Sequence, residues 1–264
     1  MLRIGSLIVG LAIVAALAGP LLWPYDSSAQ ELARRLEAPS LAHPLGLDEL
    51  GRDILARLLQ GARISLMVGL AVVSVSSTVG MLFGSMAGYF GGRVDDVISR
   101  VIDVLMAFPG ILLAIALVAV LGPSLVNVVL ALSIIGWVGY ARLVRGQALR
   151  AREFEFVHAA RASGASAARI VVRHVLPTAI PAVVVQATLG MAGAIIAEAS
   201  LSFLGLGVQP PTPSWGTMLD AGRAHLFDAP HLTVFPGLAI ATLVLGFNFL
   251  GDGLRDRVDP KMVR

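Results

Sequence analysis

The sequence predicts an all-α integral membrane protein with six transmembrane helices. Of its 264 residues, 56% are hydrophobic and 14% are charged, and the mean hydropathy is +0.82. Soluble domains usually carry about 25% charged residues. Several apolar runs also reach the roughly 20 residues that a helix needs to cross a bilayer. Short polar segments separate these runs, which is the pattern of a helical bundle in lipid.

The first apolar run, residues 4–23, is predicted to be an uncleaved transmembrane helix. A cleaved secretory signal is the alternative, because Ala16-Leu17-Ala18 resembles a cleavage site and Arg3 precedes the run. Apolarity continues past that site to Trp23, a residue type that favours the membrane interface. The continuous helix is therefore the preferred interpretation.

Residues 24–63 are predicted to be an extracytoplasmic segment that contains a short amphipathic helix on the membrane surface. Asp48 would cap this helix, Gly61 would end it, and His43 would be solvated. Its apolar and charged side chains fall on opposite faces at helical spacing, namely Leu50, Ile54, Leu55, Leu58 and Leu59 against Arg52, Asp53 and Arg57. We therefore divide the chain into residues 1–63 and a five-helix core, residues 64–264.

The five spans of the core are expected at residues 64–90, 101–121, 125–141, from Thr178 onward, and 232–250. In the first of them, Gly80, Gly84 and Gly88 share one helical face. Small residues at this spacing allow close approach of another helix within lipid. The sequence therefore predicts a helix–helix contact along this glycine stripe.

Two features of the core are candidates for the pathway that a solute would take. A polar turn is expected at residues 91–100, and Pro109 should kink the span that follows it. Such breaks can line a pathway, which makes Phe108 and Pro109 candidates for a pathway or gate. Glu198 is the third candidate, because a carboxylate inside a span is costly and often functional; a structural hydrogen-bonding role is the equal alternative.

Residues 153–177 are too polar to cross a membrane and are predicted to form two short helices. The first runs from Glu153 to Ala162, with acidic residues near its positive end. Gly164 would end it in a left-handed conformation. Ser166 would cap the second helix, and Pro177 would then open the next span from its first turn.

Composition excludes several kinds of chemistry. The chain has no cysteine, so thiol catalysis, disulfides and cysteine zinc sites are excluded. Its only lysine is Lys261, so a phosphate-binding loop that needs a lysine after its glycines is absent. The high pI of about 9.9 is explained by arginines that flank the apolar spans, and no nucleic acid is expected.

The run Ala159-Ala160, with Gly164, Ile170 and Leu176-Pro177, resembles the "EAA" cytoplasmic loop of permeases from binding-protein-dependent ABC importers. His158 stands where that family often has Glu. Residues 43–63, 198–216 and 251–260 are also similar to C-type permease subunits of dipeptide, oligopeptide and nickel importers. The resemblance implies a type I importer permease fold, in which residues 153–176 act as coupling helices.

In that family the coupling helices dock on a separate ATPase. The resemblance thus implies that ATPase contact falls to Glu155, His158, Ala159, Ala160, Arg161, Gly164, Arg169 and Arg173. It also implies a homologous B-type permease, two ATP-binding subunits or domains, an extracytoplasmic solute-binding protein and a lipid membrane as partners. ATP and Mg²⁺ would bind the partner ATPases, and this chain is expected to bind no cofactor or metal and to catalyse no reaction.

The expected function is a permease subunit that forms half of the pathway for di- or oligopeptides. A nickel or other small-solute importer is the alternative within the family. A stand-alone secondary transporter is the alternative from another class, although such proteins use coupling-ion carboxylates or inverted repeats, and Glu198 is the one deep acid. Residues 142–174 hold seven arginines and two acids, which places this loop and both termini in the cytoplasm of a bacterium.

Overall fold

The structure is a computed structural model that describes residues 1–258. Within these residues the chain is helical apart from turns and loops and a single bridge between Leu47 and Asp53. The α-helices, in chain order, are α1 (Leu2–Leu22), α2 (Ile54–Phe90), α3 (Gly92–Met106), α4 (Gly110–Leu121), α5 (Leu125–Ala151), α6 (Glu155–Ala162), α7 (Ala167–Ile170), α8 (Leu176–Phe203), α9 (Trp215–Gly222) and α10 (His231–Val258).

Five helical segments are long and apolar enough to cross a membrane: α1, α2, α5, α10 and the continuous run from α7 through α8. The pair α3 and α4 is a sixth span if its two bent halves are counted together. The six predicted spans thus have counterparts in the structure. α5 packs mainly against α2, α8 packs against both α2 and α10, and α1 packs mainly against α10.

The bundle has two ends, which we name after the short helices that they carry. The α6 end holds α6 and α7, together with the start of α1 and the last turns of α10, where Leu2 lies against Gly253. The α9 end holds residues 23–53 and the loop around α9, where Trp215 donates from Nε1 to the Leu58 carbonyl at 3.0 Å. The two polar segments predicted from the sequence, residues 24–63 and residues 153–177, therefore lie at opposite ends of the bundle.

The separate amphipathic surface helix predicted before residue 64 is wrong, because residues 54–63 are the first turns of α2. Asp53, and not Asp48, caps the helix by accepting from the Ala56 N–H at 2.7 Å. Gly61 does not end it. A Cβ there would lie 2.7 Å from Cδ1 of Trp215, so the glycine makes room for that ring in mid-helix. The expected division at residue 63 would therefore cut through α2.

Charged residues at the start of α2 are buried in ion pairs instead of facing water. Asp48 accepts from Arg52 Nε at 2.7 Å and lies 3.3 Å from Arg57 Nε. Asp53 accepts from Trp23 Nε1 at 3.0 Å and lies 2.8 Å from His43 Nδ1. The expectation that His43 is solvated is also wrong, since His43 is 5% exposed. Buried charges need partners, and here the segment before α2 supplies them.

The glycine stripe on α2 forms the predicted helix contact. A Cβ on Gly80 or Gly84 would collide with Tyr140 or Ala141 of α5, and a Cβ on Gly88 would lie 2.6 Å from the Ala148 Cβ. The prediction is confirmed, because only residues without a side chain let α2 and α5 approach this closely.

The predicted third span is two helices instead of one kinked helix. Residues 92–100, expected as a turn, are the first part of α3, where Ile98 and Ile102 are buried and Asp95 accepts from Arg145 Nη2 at 2.7 Å. The break at Ala107–Pro109 bends α3 from α4 by 85°. Pro109 has no N–H and disfavours a helical conformation in the residue before it, so the chain turns sharply here.

The fourth span is longer than predicted. α5 continues ten residues beyond Ala141 and ends at Ala151, so Arg142, Arg145 and Arg150 are helical. At the carboxyl end, α10 extends through the first part of the motif at residues 251–260. The rest of that motif and Lys261 lie outside the described residues.

Candidate functional site

The polar loop at the α6 end contains the two predicted helices. α6 begins at Glu155, two residues later than expected, and ends where Gly164 takes a φ of +79°. The Gly164 N–H donates to the Arg161 carbonyl at 3.0 Å, and the Ala165 N–H donates to the Ala160 carbonyl at 3.1 Å. These two bonds form a Schellman motif, so the prediction for Gly164 is confirmed.

The second helix of the loop is capped as predicted but does not stop before Pro177. Ser166 Oγ accepts from the Arg169 N–H at 3.4 Å. α7 then passes through a π-helical turn, Val171–Val175, directly into α8. In a regular α-helix Pro177 would clash with the carbonyl of Arg173. The wider turn just before it fits this constraint, and it makes α7 continuous with a membrane span.

A small apolar cluster holds this loop on the bundle. Val157, Ile170 and Val175 are at most 1% exposed and pack with Ala148 and Ala151 at the end of α5. The Arg161 guanidinium lies 5.8 Å from the centre of the Tyr89 ring at the end of α2. The loop is thus attached to two membrane helices through one of its faces.

Most of the residues in this loop that were predicted to contact an ATPase are exposed. Ala160 is turned inward and packs beside the apolar cluster. The remaining seven are exposed, namely Glu155, His158, Ala159, Arg161, Gly164, Arg169 and Arg173. The structure therefore leaves these seven residues accessible, although Arg161 also contacts the Tyr89 ring, and Ala160 is a packing residue.

Sequence reasoning missed two exposed aromatic residues in the same loop. Phe154 and Phe156 are 42% and 47% exposed, and their ring centres are 5.4 Å apart. Exposed aromatic pairs are typical of the buried centre of protein interfaces. Their position in an otherwise charged and Ala-rich stretch is the signal that could have identified them.

A second candidate site is a cavity of about 310 Å³ at mid-depth between α2, α4, α5 and α8. Its wall includes Ser76, Tyr140 and Gln186, with Gly110 and Ile111 contributed by the first turn of α4. Ligand sites are typically clefts of about 300–1,000 Å³ that combine apolar walls with a few polar groups. The cavity has this character.

The three residues predicted to belong to a pathway or gate differ in their position relative to this cavity. Phe108 is 57% exposed at the bend, and Pro109 precedes the two α4 residues that line the cavity wall. Glu198 does not line the cavity and is fully buried. It accepts from Ser202 Oγ at 2.7 Å and from Ser65 Oγ at 3.4 Å. Its neighbours Ala194 and Ala197 line the cavity, whereas Glu198 contacts Ser65 of α2.

The comparisons with known proteins agree with this architecture. Residues 80–264 match the family model described as "Binding-protein-dependent transport system inner membrane component". The dipeptide transport system permease protein DppC of Alkalihalophilus pseudofirmus is 46% identical over 259 residues, which cover 98% of this chain and 85% of that protein. The glutathione transport system permease protein GsiD of Pectobacterium atrosepticum is 48% identical over 258 residues, covering 97% and 86%.

Two solved structures share the fold at low sequence identity. An inward-facing MetNI methionine ABC transporter chain gives a TM-score of 0.61 at 19% identity, covering 76% of this chain and 96% of that chain. A chain of an amino acid ABC transporter with histidines gives 0.57 at 16% identity, covering 76% and 94%. The sequence matches argue against a stand-alone secondary transporter. The chain belongs to the family of inner membrane components of binding-protein-dependent transport systems. It is a multi-pass permease subunit of the inner membrane.

Proposed function

We propose that this permease subunit imports di- or oligopeptides as half of an ATP-driven translocation pathway. The observation that carries the proposal is the similarity, over nearly the whole chain, to permeases named for dipeptide and glutathione transport. Glutathione is itself a small peptide, so both names describe the same chemical class of solute. A nickel importer has no comparable support among these relatives.

The proposed partners are a homologous permease, two ATP-binding subunits or domains and an extracytoplasmic solute-binding protein. The exposed face of α6 and α7 would enter a groove on the ATPase, with Phe154 and Phe156 as apolar anchors among the charged residues. ATP and Mg²⁺ would bind the ATPases alone. In the proposed topology the α6 end, with the start of α1 and the last turns of α10, would face the cytoplasm, and the α9 end would face the binding protein.

ATP binding would move the membrane helices through the continuous run from α7 to α8. Because α7 joins α8 without a loop, a displacement of the α6–α7 surface would reach the cavity wall formed by α8. Two rigid states, biased by ATP and by the loaded binding protein, would then open the pathway alternately to each side. The second permease would complete the pathway beside α4.

The test is purification of the tagged full-length chain from its native membrane in mild detergent, followed by mass spectrometry and transport in proteoliposomes. We expect a phosphate-binding-loop ATPase and a second permease in the complex, and ATP-dependent peptide uptake that requires the binding protein. Recovery of the chain alone, under conditions that preserve other membrane complexes, would contradict the partner assignment. Uptake driven by a proton gradient without ATP would contradict the mechanism.

A further inference from the structure

Two glycines of α8 line the cavity between α2, α4, α5 and α8, and the space beside them differs. A Cβ on Gly193 would meet no heavy atom within 4 Å, whereas a Cβ on Gly190 would lie 2.5 Å from Tyr140 Oη. Both glycines are on the cavity-facing side of α8. Because Gly193 is itself exposed, the space beside it is an open part of the cavity between α2, α4, α5 and α8, and Tyr140 lines the same cavity.

The first indication that this cavity receives a hydrogen-bonding group comes from Ser76. It lines the cavity and is 1% exposed, yet its Oγ has no hydrogen-bond partner among the described residues. Buried polar groups in native proteins nearly always have a partner. The Ser76 hydroxyl is therefore available to bond a group that enters the cavity.

Gln186 adds a side-chain amide to the same wall. It is half-buried, and the hydrogen bonds found within residues 1–258 do not include one from its side-chain amide. Its backbone carbonyl accepts a long hydrogen bond of 3.5 Å from Tyr140 Oη. An amide side chain offers donors and an acceptor together, so Gln186 can pair with a group that does the same.

The charge of the cavity limits which solutes it can receive. Its lining residues, all within the described part of the chain, include no Asp, Glu, Lys, Arg or His. A bare metal cation would find no carboxylate or imidazole ligand here, and the charged termini of a dipeptide would find no ionic partner, so both would have to keep their water. A peptide bond is neutral and brings one N–H donor and one carbonyl acceptor. It matches what Ser76, Tyr140 and Gln186 offer.

We infer that Ser76, Tyr140 and Gln186 form a subsite that receives a neutral amide of the solute during transport, such as the peptide bond of a dipeptide. The inference rests on the proposed peptide import, and it adds residues in the permease that favour peptides over solutes without an amide. These residues would contribute selectivity in addition to that of the binding protein.

The experiment measures transport by the whole reconstituted complex at saturating loaded binding protein, expressed per ATP hydrolysed. The two solutes are a dipeptide and the depsipeptide of the same side chains, in which an ester replaces the amide. A double variant, Ser76→Ala with Gln186→Leu, is compared with the matched control Ser77→Ala with Gln147→Leu, whose residues do not line the cavity.

In the wild-type complex we expect faster transport of the dipeptide than of the depsipeptide. In the Ser76/Gln186 variant we expect dipeptide transport to fall about tenfold, as for the loss of two hydrogen bonds, and the difference between the two solutes to disappear. The control should retain both rates. Because Ser76→Ala removes a hydroxyl without a partner, the unfolding temperature is expected to stay equal or to rise.

Two results would overturn the inference, and they are distinguishable. If the wild-type complex transports the dipeptide and the Ser76/Gln186 variant keeps its rate and selectivity, the subsite is wrong while peptide import stands. If the wild-type complex transports neither solute, peptide import fails and the subsite fails with it. Should the double variant not assemble, Gln186→Leu alone is compared with Gln147→Leu by the same criteria.

A blocking variant tests the position of the subsite independently of its chemistry. Gly193→Val adds a side chain into open space, so the variant should fold, yet it would narrow the cavity that Ser76 also lines. The matched control is Gly237→Val, since a Cβ there also meets nothing within 4 Å and Gly237 does not line the cavity. We expect transport to fall at least fivefold in the first and to stay unchanged in the second; equal transport by both would place the solute elsewhere.

Discussion

The two ends of the bundle use similar residues for opposite purposes. At the α9 end, charged side chains are buried and paired, as Asp48 is with Arg52 and Arg57. At the α6 end, arginines such as Arg169 and Arg173 are exposed, and apolar residues beneath them hold the loop in place. The buried charges at the α9 end stabilise the chain itself, whereas Arg169 and Arg173 at the α6 end form no ion pair within residues 1–258 and can bind another molecule.

The difference shows that the number of charges in a segment does not reveal their use. Both segments alternate charged and apolar residues, and both were predicted to present their charges to solvent. What separates them is whether other parts of the chain cover the charges. At the α9 end Trp23 and His43 reach back to Asp53, and at the α6 end the loop is open. Four predictions test this contrast, beginning with the largest expected effect.

Asp53→Ala should be the most destabilising change. It removes the cap of α2, the acceptor for Trp23 Nε1 and the partner of His43 together. Breaking a buried pair while leaving its partner uncompensated costs about 3–5 kcal/mol. Thermal unfolding in detergent measures this, with Asp26→Ala as the control because Asp26 bonds only exposed Ser28. An equal effect of both substitutions would mean that the charges at the α9 end are not buried structural groups.

Gly164→Val should abolish coupling at the α6 end with little effect on the membrane helices. A branched residue is strained at a φ of +79°, although a Cβ there meets no atom within 4 Å. We expect ATP-driven transport to fall by about tenfold or more, as a misplaced positioning element can cause. Gly164→Asn is the matched control, because Asn tolerates the left-handed conformation. Normal transport by the Val variant would exclude a role for this turn.

Arg169→Gln combined with Arg173→Gln should weaken the complex but not the fold. Both residues are exposed, so the free energy of unfolding is expected to change by less than about 0.5 kcal/mol. Association with the ATPase should weaken by roughly threefold to tenfold and become less sensitive to salt. Binding of the purified ATPase at two salt concentrations measures this. A large loss of stability would show that these arginines are structural, as those of the α9 end are.

The substitution Glu37→Gln should give the smallest effect, which is a change in how the unfolding temperature depends on pH. The Arg34 side chain donates to Glu37 Oε2 at 2.7 Å and holds the pKa of that carboxyl below its ordinary value of 4.5. A depressed folded-state pKa means that this stabilisation is present at neutral pH and is lost as pH falls through the folded-state value. The exposed pair should shift the unfolding temperature by about 1 °C or less. Glu37→Gln should remove that shift, and an unchanged acid profile in this variant would assign it to other groups.

Local signals predicted much of the structure correctly. The apolar runs gave the membrane spans, Gly164 and Ser166 marked the turn between α6 and α7, and the spacing of Gly80, Gly84 and Gly88 predicted contact with a neighbouring helix. Each of these depends on a few consecutive turns of the chain. Backbone conformation and helix faces are short-range properties, so the order of residues is sufficient to predict them.

The errors concern groups whose role depends on distant parts of the chain. Gly61 is of a residue type that often ends helices, but Trp215, more than a hundred residues away in the sequence, packs against it in mid-helix. For Glu198 the pathway role stays a prediction, but its contact with Ser65, more than a hundred residues away, was likewise not visible from its own span. The cavity between α2, α4, α5 and α8 carries no motif of its own, because helices far apart in sequence contribute its wall.

The sequence by itself determined that the chain is a helical membrane protein, where its polar loop turns, and which family its motifs resemble. The tertiary structure decided which charges are buried, where α3 leaves the line of α4, and that Ser76, Tyr140 and Gln186 meet around one cavity. The reason is physical: hydrophobicity and turn geometry act along the chain, whereas burial and hydrogen-bond partnership are properties of neighbours that only the folded bundle brings together.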